Sequence, residues 1–222
     1  MGQKVNPISF RLPLTKDWTS RWFSANKQQY QKNLLEDVHL RKFLLGKLKM
    51  AGISQVQIER SINKMKIILF VSRPGVVIGR GGSGLELLKK DVCKMVTMAQ
   101  PEKNLEIEAI EVKNPDLSAY LVAQKVAEQL EKRMPYRRVI SKAIENTMNS
   151  GAKGVKIILS GRVNGAEISR REKFGDKGKT GNIPSQTLRA DIDFASVPSL
   201  TRSGFIGVKV WVYKEENKKS QD

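Results

Sequence analysis

The chain has 222 residues, of which 40 are Lys or Arg and 22 are Asp or Glu, so its formal net charge is +18. Hydrophobic residues make up 40% of the sequence, which is enough for packed cores, and the length suggests two small domains. Solubility alone asks for a net charge of only about 2 to 8 in a small domain. The surplus favours nucleic acid as the partner, because each Lys or Arg that meets a phosphate releases counterions.

Several classes of protein are excluded by the same sequence. The longest apolar run, residues 67–71, is far shorter than the roughly 20 residues that cross a bilayer, and we find no basic amphipathic helix with bulky apolar anchors. One cysteine, Cys93, and one histidine, His39, cannot make an internal disulfide or a Cys/His zinc cluster. We therefore expect no metal, no cofactor, no membrane and no small-molecule substrate, and a reducing location such as the cytoplasm or an organelle matrix.

The first half of the chain begins with an irregular segment and continues with one helix and two strands. Residues 1–25 hold scattered prolines and aromatic residues without a clean period, and we expect an extended arm. Apolar residues three or four positions apart predict an amphipathic helix over 26–50. A spacing of two predicts strands over 53–60 and 64–71.

A glycine-rich stretch follows, and a second helix is predicted directly after it. Ser83 with Glu86 three residues later is a capping-box pattern, which places the helix start next to the glycines. A Glu-rich alternating segment over 105–111 predicts a third strand. The order of elements stops at Asn114-Pro115, so the first domain is expected to cover residues 26–114.

The second domain is expected over residues 115–214, and its pattern changes from helical to alternating. Helices are predicted over 116–134 and 136–150, separated by Pro135, with Gly151 as the C-terminal cap. Asn164-Gly165 is a hairpin signal, and a spacing of two predicts strands over 155–160, 188–194 and 208–212. Helices followed by antiparallel strands indicate an α+β fold, and residues 215–222 are expected to form a short flexible tail.

The glycine stretch at residues 79–84, GRGGSG, matches two motifs. As G-x-x-G, the residues Gly79, Arg80, Gly81 and Gly82 form the loop of a KH domain, where a nucleic-acid backbone approaches closely. As G-x-G-x-x-G, the stretch is a dinucleotide fingerprint, which requires a buried parallel strand directly before the glycines. The preceding strand pair is predicted to be antiparallel, so the element order favours the KH loop. A tight turn without a ligand is the remaining alternative.

A second phosphate-binding motif is incomplete. Gly178-Lys179-Thr180 has the ending of a P-loop, but the glycine required five residues earlier is Lys173. We interpret residues 174–181, which include Lys177 and Lys179, as a basic loop that moulds to RNA; a solvated hairpin loop is an equally weighted alternative.

Positive charge is concentrated around the helix break of the second domain. A basic group formed by Lys132, Arg133, Arg137, Arg138 and Lys142 surrounds Pro135. Such a group can follow the phosphates of a strand without reading its bases. A solvated helix face is the alternative, although such faces usually mix charges of both signs.

The sequence offers no assembled active site, and we expect no enzyme. His39 is predicted on the surface of the first helix, and Cys93 is predicted as a small core residue. Asp191 and Asp193 are two apart with no third ligand nearby, so we interpret them as partners for Lys or Arg.

Taken together, these residues resemble one family, the ribosomal protein S-three family of the small subunit, of bacterial or organellar type. The resemblance covers nearly the whole chain. The stretches that carry it are 1–7 (MGQKVNP), 77–82 (VIGRGG), 151–156 (GAKGVK), 160–162 (SGR), 165–168 (GAEI), 188–193 (LRADID) and 207–211 (GVKVW).

The resemblance implies a type II KH domain followed by the α+β C-terminal domain of the family, bound to ribosomal RNA in the head of the small subunit. It also implies that the protein lines the channel through which mRNA enters, together with neighbouring ribosomal proteins, and assists mRNA unwinding. Arg137 and Arg138 match the basic cluster credited with that action, whereas Ser141 stands where bacterial members usually have a basic residue. Further candidate contacts to ribosomal RNA are Lys4, Arg11, Arg162, Arg171, Lys177, Lys179 and Arg189.

Two other functions are weighed against this one. A free KH-domain protein acting in RNA processing or transcription would share the loop and the charge, but would work off the ribosome. A nucleotide-dependent enzyme would use residues 79–84 to bind NAD or ATP.

Overall fold

A computed structural model describes residues 5–61, 64–96, 101–176, 178 and 182–214. The helices are α1 (Pro7–Phe10), α2 (Lys27–Lys47), α3 (Pro74–Ile78), α4 (Ser83–Cys93), α5 (Pro101–Asn104), α6 (Ala119–Glu131) and α7 (Tyr136–Asn149). The strands are β1 (Ser20–Arg21), β2 (Ile53–Arg60), β3 (Met65–Val71), β4 (Leu105–Glu111), β5 (Gly154–Gly161), β6 (Arg170–Gly175), β7 (Ile192–Thr201) and β8 (Gly204–Tyr213). No helix within these described residues is long and apolar enough to cross a membrane.

The chain divides into two compact units, one covering Trp18–Lys113 and the other the described residues on either side of it. The division falls next to the boundary that was expected at Asn114-Pro115. Each unit combines helices with a four-stranded sheet, and the predicted α+β class is confirmed.

The first unit is built on a sheet with the order β1-β2-β3-β4. β2 and β3 are antiparallel, whereas β4 runs parallel to β3. Every second residue of β3 is fully buried, from Met65 to Val71, as the spacing of two requires. Leu40 and Leu44 of α2 and Leu88 and Val92 of α4 complete this core.

A buried ion pair holds α2 to the sheet. The Asp37 side chain is fully buried, and its carboxylate lies 2.6 Å from the Arg60 guanidinium. The Trp22 indole N–H and the Ser20 hydroxyl donate to the other carboxylate oxygen at 2.9 and 3.1 Å. A buried charge is tolerated only with such partners, so this network fixes β1 against α2.

The arm expected over residues 1–25 is wrong as a single extended segment. Pro7–Phe10 is helical, with Pro7 at the first helical position and the Asn6 side chain accepting from the Ile8 N–H at 2.9 Å. Ser20–Arg21 is a strand parallel to β2. The described residues up to Asp17 belong to the second unit, and those from Trp18 belong to the first. The expected arm is therefore divided between the two units.

The second unit is an antiparallel sheet with the order β6-β5-β8-β7. α6 and α7 bury their apolar sides against it, and the shared core includes Val126, Ile140, Ile157 and Val210. Both helices and their break at Pro135 follow the prediction to within a few residues.

The end of α7 has the predicted glycine cap. Gly151 has φ +96°, and its N–H donates to the Met148 carbonyl at 3.0 Å while the Ala152 N–H donates to the Thr147 carbonyl at 3.3 Å. These two bonds form a Schellman motif, in which glycine adopts the left-handed conformation without a steric cost.

The strand predicted over 188–194 is wrong in its first half. β7 begins at Ile192, because the backbone before it turns to present carbonyl groups to the buried Arg11 side chain. The Asn164-Gly165 turn is found within the connection between β5 and β6, with φ +60° and +77°.

Candidate nucleic-acid interface

The glycine loop joins α3 to α4, with Gly79 as its first residue. Gly79, Gly81 and Gly82 have φ of +71°, +60° and +85°. Residues other than glycine rarely adopt such backbone conformations. A Cβ on Gly81 or Gly82 would meet nothing within 4 Å, and Gly79, Arg80 and Gly81 are exposed. The loop therefore leaves open space where another backbone can approach.

Close packing of the two flanking helices explains Gly84. A Cβ on Gly84 would lie 2.6 Å from the Val77 carbonyl oxygen and 2.9 Å from that of Ile78, which real Cβ atoms do not tolerate. The loop is thus a helix-turn-helix connection that follows an antiparallel strand pair, unlike the strand-turn-helix geometry of a dinucleotide site. The sequence did not predict the short helix α3, because Pro74 and Gly75 read as a turn.

The capping box predicted at Ser83 and Glu86 is wrong in detail. Gly82 occupies the N-cap position, and no side chain caps the helix. Ser83 lies inside the helix, where its hydroxyl donates to the Arg80 carbonyl at 2.9 Å, because a tight turn over Arg80–Gly82 leads straight into α4. The first N–H groups of α4 therefore lack a side-chain cap and lie beside the exposed loop, a favourable position for a phosphate.

Lys132, Arg133, Arg137, Arg138 and Lys142 form what we call the basic ridge. All five are exposed, and they lie along the junction of α6 and α7. Arg138 and Lys142 are one helical turn apart on α7, about 6 Å along its axis. Within the described part of the chain, no carboxylate forms a salt bridge with the ridge. The Glu172 carboxylate acts on Arg137 only at longer range, so most of the ridge charge stays available to a ligand.

Arg133 stands at a position that usually belongs to glycine. Its φ is +60°, its N–H donates to the Leu130 carbonyl at 3.0 Å, and the Met134 N–H donates to the Gln129 carbonyl at 3.1 Å. This is the Schellman motif that ends α6, with an arginine in the left-handed position. No sequence signal predicts this cap, because arginine is not a typical residue at such a position.

Tyr136 positions Arg137 within the ridge. The Arg137 guanidinium carbon lies 5.8 Å from the centre of the Tyr136 ring, and the Nε–H donates to the Tyr136 hydroxyl at 3.2 Å. This hydrogen bond raises the pKa of Arg137. The Tyr136 ring in turn packs edge-on against the Phe174 ring, with 6.1 Å between the ring centres. The aromatic pair therefore supports Arg137, one cation of the ridge.

The structure contradicts the expected RNA contact at Arg11. Its side chain is fully buried, and its Nε–H donates to the Ala190 carbonyl at 2.8 Å while Nη2 donates to the Thr187 carbonyl at 2.9 Å. Further bonds reach Pro7, Pro184 and Ser185. Burial lowers the pKa of Arg11, and Asp191 acts in the opposite direction. The guanidinium is therefore committed to the backbone and is not available to a phosphate.

The other candidate contacts lie in different parts of the chain. Arg162, Arg171 and Arg189 are exposed in the second unit. Lys4, Lys177 and Lys179 lie outside the described residues.

His39, Cys93, Asp191 and Asp193 do not form a common site. His39 is exposed on α2, and Cys93 is half-buried against the core. Asp191 pairs with Lys16 at 2.6 Å and Asp193 with Lys214 at 3.5 Å, which confirms them as partners of basic residues. Among the described residues, no group of three or more His, Cys, Asp or Glu could hold a metal ion.

The fold and the exposed glycine loop define a KH-type RNA-binding protein with a second α+β domain. Comparison with known families agrees: a KH domain model matches residues 39–117, and the model "Ribosomal protein S3, C-terminal domain" matches residues 126–212. The chain belongs to the ribosomal protein S3 family, also called uS3.

Individual relatives match along nearly their whole length. The chain is 45% identical to the small ribosomal subunit protein uS3 of Desulforamulus reducens over 97% of this chain and 93% of that protein. It is 47% identical to uS3 of Clostridium novyi over 97% and 94%, and 48% identical to uS3 of Persephonella marina over 96% and 90%. Members of this family are structural, RNA-binding proteins of the small ribosomal subunit and not enzymes, which confirms the family resemblance and the non-enzymatic prediction.

Proposed function

We propose that the two units divide the RNA contacts of the protein, with the KH loop facing ribosomal RNA in the head of the small subunit and the basic ridge facing mRNA at its entrance channel. The single observation that best supports this division is the ridge itself: five exposed cations at one helix junction without a salt-bridged carboxylate among the described residues. Such a surface binds phosphates of any sequence, as a moving message requires.

The ridge geometry also supports assistance to mRNA unwinding. Arg137 is held by Tyr136, while Arg138 and Lys142 project from successive turns on one face of α7. A row of fixed cations can follow the backbone of a single RNA strand. Holding one strand after it separates from its partner disfavours re-pairing, which assists unwinding. Ser141, exposed between them, leaves a neutral position within the track.

Translation through a hairpin tests the role of the ridge. In cells that carry only the R137A/R138A variant, elongation through a stable mRNA hairpin should slow several-fold more than elongation through unstructured message. The matched control is R170A/K209A, which removes two exposed cations of the same unit outside the ridge. The variant S141K should speed passage through the hairpin. Equal slowing of R137A/R138A on both templates would contradict the proposal.

The alternative of a free KH protein in RNA processing or transcription is tested by sedimentation. We expect the protein to stay in the small-subunit peak through a moderate salt wash, together with the neighbouring ribosomal proteins. A dominant pool at the top of the gradient would favour the alternative.

A further inference from the structure

A cleft of about 270 Å³ lies in the second unit, next to the ridge. Three arginines from separate segments line it: Arg133 at the junction of α6 and α7, Arg162 after β5, and Arg202 in the turn between β7 and β8. No Asp or Glu is among its lining residues. The cleft is therefore a concave, strongly positive site.

Arg162 is fixed in place by the loops that surround it. Its Nε–H donates to the Ala166 carbonyl at 2.8 Å, and Nη1 donates to the Ser203 carbonyl at 3.5 Å. A guanidinium has five N–H donors, so donors remain for a ligand after these two bonds. The side chain also ties the Asn164-Gly165 turn to the β7–β8 turn, and both turns line the cleft.

Arg133 occupies the cleft wall at a conformational cost. A left-handed backbone is unfavourable for a residue with a Cβ, and glycine at this position would remove the strain. Strained residues of this kind concentrate at functional sites. The arginine side chain at this position thus points to a binding role rather than to a stabilising one.

The remaining walls are mixed in character. Met134 and Tyr136 line the cleft together with the polar residue Ser203. The volume is near the lower limit of small-molecule sites, about 300 Å³, which restricts the occupant to a single residue of a polymer. Guanidinium groups bind phosphate in a bidentate manner, and a base can pack against apolar and aromatic side chains.

We infer that this cleft holds one unpaired nucleotide of an RNA strand, with its phosphate bound by Arg133, Arg162 and Arg202. The inference rests on the proposed RNA-binding role of the ridge, since Arg133 belongs to both surfaces and makes them continuous. This continuity favours RNA over an acidic peptide, because a strand that follows the ridge passes the mouth of the cleft.

Binding of a short single-stranded RNA to the purified full-length protein tests the inference. R202Q should weaken binding about tenfold and reduce the slope of log affinity against log salt by about 0.7, the value for one phosphate contact on a single strand. R162Q should behave similarly, but R202Q decides the outcome, because Arg162 also supports two turns. The control R170Q, an exposed arginine on β6, should leave affinity within about twofold.

Amide hydrogen exchange locates the contact. The single-stranded RNA should protect the turns at residues 162–165 and 201–204, whereas a blunt RNA duplex should not. Protection by uridine monophosphate or by polyglutamate, without protection by RNA, would overturn the inference in favour of a free-nucleotide or a peptide site.

Different results would contradict the RNA role of the cleft and that of the ridge. If R202Q binds like R170Q and the turns stay unprotected while R137A/R138A still weakens binding, the cleft inference is wrong and the ridge proposal stands. If neither R202Q nor R137A/R138A weakens binding, both are wrong.

Discussion

Replacing Arg11 should destabilise the second unit strongly, although the sequence presents this residue as one more surface cation. Its two shortest hydrogen bonds, 2.8 and 2.9 Å to the carbonyls of Ala190 and Thr187, are each worth about 1.5 to 3 kcal/mol for a charged donor. The cost of burying the guanidinium offsets part of this sum. Removing the guanidinium leaves these carbonyl groups without a partner, at about 1 to 3 kcal/mol each where they stay buried, and we expect R11A to lose about 3 to 5 kcal/mol.

Urea-dependent hydrogen exchange measures this loss separately in each unit. In R11A, amides of β5, β7 and β8 should open at lower urea concentration, whereas those of β2 and β3 should be unchanged, because all the partners of Arg11 belong to the second unit. R189A, which removes an exposed arginine directly before Ala190 in the chain, should change stability by less than about 0.5 kcal/mol. A loss below about 1 kcal/mol in R11A would show that the hydrogen bonds of Arg11 do not stabilise the second unit.

Three further predictions concern the two RNA surfaces and the core. G84A should destabilise the first unit by about 1 to 3 kcal/mol because its Cβ overlaps two carbonyl oxygens, whereas G46A, with open space around it on α2, should stabilise by up to about 1 kcal/mol; urea unfolding checks both. R133G should raise the unfolding midpoint of the second unit and weaken its binding to RNA. A variant that is more stable and also binds RNA more tightly would contradict the binding role of Arg133. Burial raises the pKa of Tyr120 above its ordinary 10.0, so its stabilising contribution is full below pH 10 and is lost as the pH rises through the folded-state pKa; Y120F should lose less stability at alkaline pH than the wild type, and identical profiles would contradict this.

The spacing of apolar residues predicts most helices and strands, because that spacing decides which side of each element is buried. The spacing of two over Met65–Val71 and the spacing of three or four in α6 each describe one buried face, and the structure has both elements. Glycine at the end of α7 was predictable for a similar reason, since a left-handed cap favours that residue.

Features that depend on distant partners, or on the local path of the backbone, could not be predicted in this way. Arg11 reads as a surface cation, because the carbonyls that bury it lie some 180 positions away in the chain. The capping box at Ser83 failed because Gly82 already turns the backbone into α4. Arg202 was not singled out, because only the fold brings its hairpin turn next to Arg162 and Arg133.

Site-specific crosslinking in assembled subunits tests whether the two units divide the RNA contacts between them. A photoreactive residue at position 138 should crosslink to mRNA in programmed subunits, and one at position 80 in the KH loop should crosslink to ribosomal RNA whether or not mRNA is present. Crosslinks from position 138 to ribosomal RNA alone, unchanged by added mRNA, would contradict the account.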